Sequence, residues 1–200
     1  MEIKDYFDSD GKYAENERFI LRKLQEADKD NYMKLTLDVS SIAKAYEDES
    51  FYEFTWEHAL ADKDLNLSLF EKRTGTYLGN LMLKNLLSNK QEIGINIVRE
   101  HRRRGIGYAA VRLLMNHAKE VSGTNIFEAR IYSDNTASTK LFEKLGAAKV
   151  DCEDSEFISV MKELEKIEGS KRMSRLKEEH KELFARAEKR HIIVYELTAL

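Results

Sequence analysis

The chain has 200 residues, 34% of them charged, and its 33 Lys+Arg against 36 Asp+Glu leave a formal net charge of -3. That balance offers no basic field for nonspecific nucleic-acid binding and tilts the chain mildly toward neutral or cationic ligands. No run approaches the roughly 18 apolar residues of a membrane span, the first residues lack the apolar core of a signal peptide, and a lone cysteine, Cys152, excludes an intrachain disulfide. The expectation is a cytoplasmic protein with one domain over residues 1–200.

Met1 to Glu17 is polar and reads as a loosely held lead-in. Arg18 to Leu24 alternates as a strand does, and Ala27 to Leu35, Ser40 to Tyr46 and Glu53 to Asp62 carry apolar residues at the three- and four-residue spacing of helices. The pattern then changes to strands, Leu65 to Glu71 and Thr76 to Lys84, around the glycine turn Lys72-Arg73-Thr74-Gly75, and Glu92 to Val98 completes an antiparallel run. Because the chain has no proline, its turns rest on 9 glycines and on Asn, Asp and Ser.

Arg102-Arg103-Arg104-Gly105-Ile106-Gly107 follows this strand and opens the helical run Tyr108 to Glu120. A basic loop with two glycines between strand and helix lets successive backbone N–H groups converge on one anion, and the helix N-terminus adds partial positive charge. The segment reads as a pyrophosphate cradle; the alternative is a strand–helix turn that binds nothing. It is not a P-loop, since no Gly-Lys-Ser/Thr follows. Nor is it a dinucleotide fingerprint, whose third glycine would fall at Ala110.

In the helix, Val111, Leu114, Met115 and Ala118 share a face and belong to the core. A strand, Phe127 to Tyr132, leads to a helix capped by Asn135 and stopped by Gly146. Ser155 to Arg190 reads as a helical insert. Phe157, Met161, Leu164 and Ile167 share one face, Gly169-Ser170 breaks the run, and Met173, Leu176, Leu183, Phe184 and Ala187 continue it, giving an αα-hairpin. It packs against the domain, covers a pocket as a lid, or forms a homodimer surface. Ile192 to Leu197 closes the chain as a strand, so the whole is an α/β (α+β) arrangement around a mixed sheet.

Two motifs in this order resemble the GNAT superfamily of acyl-CoA-dependent N-acyltransferases. Arg102, Gly105 and Gly107 meet [QR]-x-x-G-x-[GA], and Asn135, Ser138, Leu141, Phe142 and Gly146 meet the later N-x-x-S-x-x-L-[FY]-x-x-x-G. The likeness is specific from Gly94 to Ala148. It implies a mostly antiparallel central sheet flanked by helices, with acetyl-CoA as cosubstrate, no metal, and a small-molecule or peptide amine as acceptor. It further implies that the pantetheine arm lies where two parallel strands, Glu92–Val98 and Phe127–Tyr132, splay apart. Amides at Ile97 and Val98 would hold the arm. The pyrophosphate would sit on amides from Arg103 through Arg104, Gly105, Ile106 and Gly107 to Tyr108, with Arg102 and Arg104 at the rim. Asn135 and Ser138 would touch the pantetheine, although Asn135 reads equally as a helix cap.

Two proton transfers remain. Many family members place a tyrosine at the position of Phe142 as the acid that protonates the thiolate. Phenylalanine cannot serve, so Ser138, Tyr132 or water takes the role. Glu92, at the start of the splayed strand, is the candidate base, with an ordinary exposed strand residue as the alternative; Glu128 is second, and pairing with Arg130 would explain it. At pH 7 a lysine-like amine costs roughly 4.6 kcal/mol to deprotonate and an α-amine about 1.1, which favours an α-amine of an amino acid, peptide or protein N-terminus. The first strand and Glu92-Ile93-Gly94 are similar to the subgroup of ribosomal-protein N-terminal acetyltransferases. Acceptor choice falls to the helices before Leu65, with Trp56 as the pocket residue. The competing functional class is a CoA-binding module that has lost catalysis and acts by interaction.

Overall fold

A computed structural model of the chain describes residues 2–40, 42–61, 63–179, 181, 184–185 and 189–199, without the side chains of 156, 157, 164, 167, 168, 170–173 and 176. Two compact units divide it, Met1–Glu128 with Leu197–Leu200, and Ala129–Glu196.

In the first unit, strands β1 (Lys12–Glu15), β2 (Phe19–Lys23), β3 (Leu65–Glu71), β4 (Tyr77–Lys84) and β5 (Lys90–Ile97) are neighbours in chain order, each antiparallel to the next. Strand β6 (Ile126–Tyr132) starts parallel to β5. Alternation sorts the side chains. Leu21, Leu67, Leu69, Leu81, Leu83 and Ile93 form one buried apolar face.

Helices α1 (Lys29–Val39), α2 (Glu49–Leu60) and α3 (Ile106–Ser122) complete the unit. Helix α3 lies against β1, β2 and β5, and Ala110, Val111, Leu114 and Ala118 on its inner face are fully buried. The expected helix at Ser40–Tyr46 is instead a short 3-10 turn, Ala43–Glu47. Asp48 then starts α2 by accepting the Phe51 N–H on Oδ1 at 2.9 Å, a cap strong enough to set the boundary.

The lead-in is not loose. Ile3–Tyr6 is a 3-10 turn and Lys12–Glu15 a strand, and Tyr6 and Tyr13 are buried. Gln91 Nε2 donates to the Tyr6 hydroxyl at 3.0 Å, and the Tyr13 hydroxyl donates to the Leu114 carbonyl at 2.9 Å. Two tyrosines anchor a segment whose composition is otherwise polar.

The second unit holds the rest of β6, α4 (Thr136–Lys144), β7 (Ala148–Asp154), α5 (Glu156–Glu168), α6 (Ser170–Glu179) and most of β8 (His191–Thr198). Its strand order is β6-β8-β7, with β7 antiparallel to β8. The buried Ser155 caps α5 through the Ile158 N–H, and Gly169, at φ 83°, separates α5 from α6. Helix α5 packs on α6 and on β7. Of the residues expected on the hairpin's apolar face, Phe184 is buried and Met161 half-buried; the side chains of Phe157, Leu164, Ile167, Met173 and Leu176, with Leu183 and Ala187, lie outside the described residues.

Candidate active site

The cradle begins where β5 ends. A 3-10 turn, Arg99–His101, leads into exposed Arg102, Arg103, Arg104 and Gly105. Arg103 stands at φ 62° and Gly105 at φ 75°, so two left-handed residues curl the backbone as in an anion-binding nest. Ala109 N–H closes the first turn of α3 onto the Gly105 carbonyl at 3.2 Å. The amides of Arg103, Arg104, Gly105, Ile106 and Gly107 donate to no backbone carbonyl among the described residues. No carboxylate stands in the first turn of α3. Buried Ile106 pins the helix start in the core, and the space where a Gly105 Cβ would project is open for 4 Å. Five amides without backbone partners and a helix N-terminus beside exposed arginines are donors of the kind a pyrophosphate takes.

Arg102 is placed differently from the sequence expectation. Its Nε donates to the Ile97 carbonyl at 2.7 Å and its Nη2 to Asp38 Oδ2, on α1, at 2.9 Å. It is a tie between the end of β5 and α1 rather than a rim charge.

The two expected backbone donors also part company. Val98 N–H donates to the Leu78 carbonyl at 3.0 Å, so its hydrogen is spent within the sheet. That bond makes Gly79↔Ile97 a non-hydrogen-bonded pair of the β4–β5 ladder, which turns the N–H and C=O of Ile97 away from β4. Ile95, two residues back, shares the orientation. The β5–β6 pairing stops at Glu92↔Glu128, short of both. With the Ile97 carbonyl held by Arg102, the Ile97 N–H is left as a donor on that edge.

Gly79 makes this geometry possible. At φ 154° its Cβ would stand 2.1 Å from the Asn96 carbonyl oxygen, so only glycine lets β4 approach here. The register of β3 and β4 shifts beside it, from Leu69↔Gly79 to Phe70↔Tyr77. This bulge, like many, stands next to the candidate site.

The face opposite the leucines carries a row of polar residues, Arg22↔Ser68, Ser68↔Asn80 and Asn80↔Asn96, which directly opposed pairs keep on one side. Asp28, just before α1, is buried and accepts from Arg22 at 2.9 and 2.6 Å and from the Ser68 hydroxyl at 2.8 Å. Because Phe70 opposes Tyr77, the bulge brings the Tyr77 ring to this face as well. Burial, and the nearby Asp28 carboxylate, hold the Tyr77 phenol well above the ordinary tyrosine range, so it stays protonated. Among the described residues neither the Tyr77 hydroxyl nor Asn80 Oδ1 has a hydrogen-bond partner, although both atoms are enclosed. This cluster left only a faint trace in sequence, a serine and an asparagine inside leucine-rich strands.

Glu92 also lies on this face, half-buried, with Lys84 Nζ 3.3 Å from Oε1. At about 3.4 Å per strand residue it stands roughly 10 Å from the Ile95 amide. Gly94 separates it from Asn96, and Met82 Cε covers that glycine, 2.7 Å from where a Cβ would be. Glu128 pairs with Lys90 at 3.7 Å, while Arg130 pairs with Glu153. Trp56 is 2% exposed and sits in a small core with Leu24, Tyr32, Met33 and Ala59. Its indole N–H donates to Glu26 at 3.2 Å, so the ring is a packing element under α1 and α2.

In the second unit the β6–α4 turn gathers the remaining expected residues. The Asn135 N–H donates to the Tyr132 carbonyl at 2.8 Å, and Asn135 Oδ1 accepts the Ser138 N–H at 3.2 Å. The Arg190 guanidinium lies 3.7 Å over the half-buried Tyr132 ring and donates to Asp134 at 3.1 Å. Phe142 is 2% exposed. Among the described residues no group of three or more His, Cys, Asp or Glu could hold a metal ion, and no helix is long and apolar enough to cross a membrane.

A mixed, mostly antiparallel sheet flanked by helices is the architecture of the GNAT fold. The acetyltransferase (GNAT) domain family matches residues 18–148, and the chain belongs to it; it is an acetyl-CoA-dependent N-acetyltransferase. The fold is similar to a mutant spermidine N-acetyltransferase from Vibrio cholerae, with a TM-score of 0.64 at 13% identity, over 92% of this chain and 95% of that one. The Vibrio cholerae spermidine enzyme in complex with CoA and spermine gives 0.62 at 13% identity, over 92% and 97%. A domain from Methanocaldococcus jannaschii gives 0.59 at 18% identity, over 90% and 97%. No curated protein matches the sequence.

Proposed function

We propose that this enzyme moves the acetyl group of acetyl-CoA to a primary amine by direct attack of the amine on the thioester. The observation that carries this reading is the pairing, on one strand–turn–helix, of a cradle of unspent amides with the outward-turned Ile97 N–H. The cradle would hold the pyrophosphate, and the Ile95–Ile97 edge of β5 would take the pantetheine arm as an added strand does. The Ile97 N–H would then stabilise negative charge on the carbonyl oxygen. As the N–C bond forms the C–S bond breaks, and the amine loses one proton while the departing thiolate gains one.

Glu92, acting through water, is the proposed acceptor of the amine proton. Tyr132 or Ser138 is the proposed donor to the thiolate, with Asn135 beside the pantetheine. Most of the acceleration would come from orientation. The acceptor we favour is an α-amine, whose lower pKa suits a site where the carboxylate is already paired with Lys84. A second reading, coenzyme binding without turnover, draws support from the buried Phe142 at the position where relatives carry an acid. We further infer that residues 1–200 form one domain and that the chain pairs as a homodimer, the pairing being tested by the mass of the full chain in solution.

The assay incubates the full chain with acetyl-CoA and two amine probes, an alanine-initiated hexapeptide and spermidine, and reads acetylated product by mass. The proposal expects product, faster from the hexapeptide. Coenzyme binding with no product from these or any other amine of a wider panel would support the second reading instead.

A further inference from the structure

We propose that Arg112, on the exposed side of α3, binds the 3′-phosphate of the coenzyme, so that the enzyme discriminates CoA from dephospho-CoA, which lacks that group. This rests on the reading of Arg103–Tyr108 as the pyrophosphate site and adds a second anion contact one ribose away.

CoA carries two separate anions, its pyrophosphate and a phosphate monoester on the ribose 3′-oxygen, the latter holding about −1.5 to −2 charges at pH 7. The amides from Arg103 to Gly107, free of backbone partners, suit the first. They leave the second to a side chain. Arg112 stands six residues after Ile106, the first residue of α3, a rise of about 9 Å along the helix axis. Long side chains on a helix lean back toward its N-terminus. Arg112 does so: its guanidinium carbon lies 5.8 Å from the centre of the Tyr108 ring, and Nη1 stands 3.5 Å from the Tyr108 hydroxyl. The charge is thereby held one turn nearer the cradle than its own backbone.

Arg112 is exposed, and among the described residues no carboxylate pairs with it. Helix α3 has no acidic residue before Glu120, so no negative charge on this helix must be displaced when an anion arrives. A guanidinium presents parallel N–H donors that match two phosphate oxygens, and its contact with Tyr108 restrains it beforehand, which lowers the entropy lost on binding. The neighbouring cations are placed for other work. Arg102 is committed to Ile97 and Asp38, Arg103 and Arg104 belong to the cradle itself, and Lys119 stands in the last turn of the helix.

The test is calorimetric titration of CoA and of dephospho-CoA into the full chain and into Arg112→Gln, Arg112→Lys and Arg104→Gln. Arg112 is exposed and glutamine is a comparable helix former, so its variant should fold. The wild type should bind CoA about tenfold more tightly than dephospho-CoA, and raising KCl from about 50 to 300 mM should narrow that ratio. In Arg112→Gln the ratio should fall below about twofold through loss of CoA affinity, with dephospho-CoA bound as by the wild type. Lysine keeps the charge without the fork and should retain a preference of about threefold. Arg104→Gln, at the rim of the cradle, should weaken both ligands alike and leave the ratio intact. A wild-type chain that binds the two ligands equally, or an Arg112→Gln chain that keeps the full ratio, overturns the inference while the pyrophosphate reading stands. Binding of neither ligand by the folded wild type overturns both together.

Discussion

On one edge of β5 the amides of Ile95 and Ile97 are aimed by backbone pairing, with the cradle amides continuing from Arg103. On its α1 face Asn96 joins Asn80, Tyr77, Ser68 and Arg22 by side chains from four strands and a bulge. The proposed coenzyme edge is built from main chain and the polar face from side chains. Main-chain geometry tolerates varied residues provided glycine stands where φ is positive, so it leaves a short, regular motif. A cross-strand cluster depends on register between distant segments, and nothing in one segment announces it.

Gly79 is the residue on which both sides meet, and replacing it breaks the comparison most severely. Gly79→Ala forces a Cβ into the Asn96 carbonyl; we expect a loss of about 3 kcal/mol in denaturant unfolding, and an undiminished midpoint would show that the bulge is not required. Next in size, Glu92→Gln should slow acetylation by about a hundredfold below pH 7 and less above pH 9, where more of the amine is already neutral. A pH-independent effect in the rate profile would remove Glu92 from the reaction and leave Lys84 as its structural partner.

Phe142→Tyr separates the second unit's packing from its chemistry. Its ring is enclosed, so an added hydroxyl should cost about 1–2 kcal/mol of stability by the same unfolding measurement. A rise in kcat despite that loss would show that thiolate protonation limits the rate. The smallest effect is expected from Asp38→Asn. The pair it breaks is substantially exposed, at 41% for Arg102 and 36% for Asp38, and such pairs contribute little to stability. Releasing Arg102 should tighten acetyl-CoA about twofold at low salt, as titration would register; weaker binding would mean that the tie to α1 shapes the cradle.

Much of the fold was legible in the sequence because periodicity was strong. The leucine alternation of β3 and β4, the apolar stripe of α3 and the glycine stop at Gly146 each reports a local rule. The lead-in was misread because only Tyr6 and Tyr13 carry its burial. The left-handed turn at Arg103 and Gly105 was legible for the same local reason, whereas Val98 was not distinguishable from Ile97, since which amide faces outward depends on a bond to Leu78 in another strand. Trp56 drew attention by its size, and size on a helix flanked by Tyr32 and Met33 led to the core.

The most direct test of the central claim is calorimetric titration of acetyl-CoA into the wild-type chain and into Gly105→Glu. No atom lies within 4 Å of the added Cβ, and a left-handed non-glycine costs only about 1–2 kcal/mol, so the variant should fold while placing a carboxylate where phosphate is expected. The account predicts stoichiometric binding by the wild type and loss of at least a hundredfold in affinity in the variant. Equal affinity in the two folded proteins would contradict it and place the coenzyme away from the cradle.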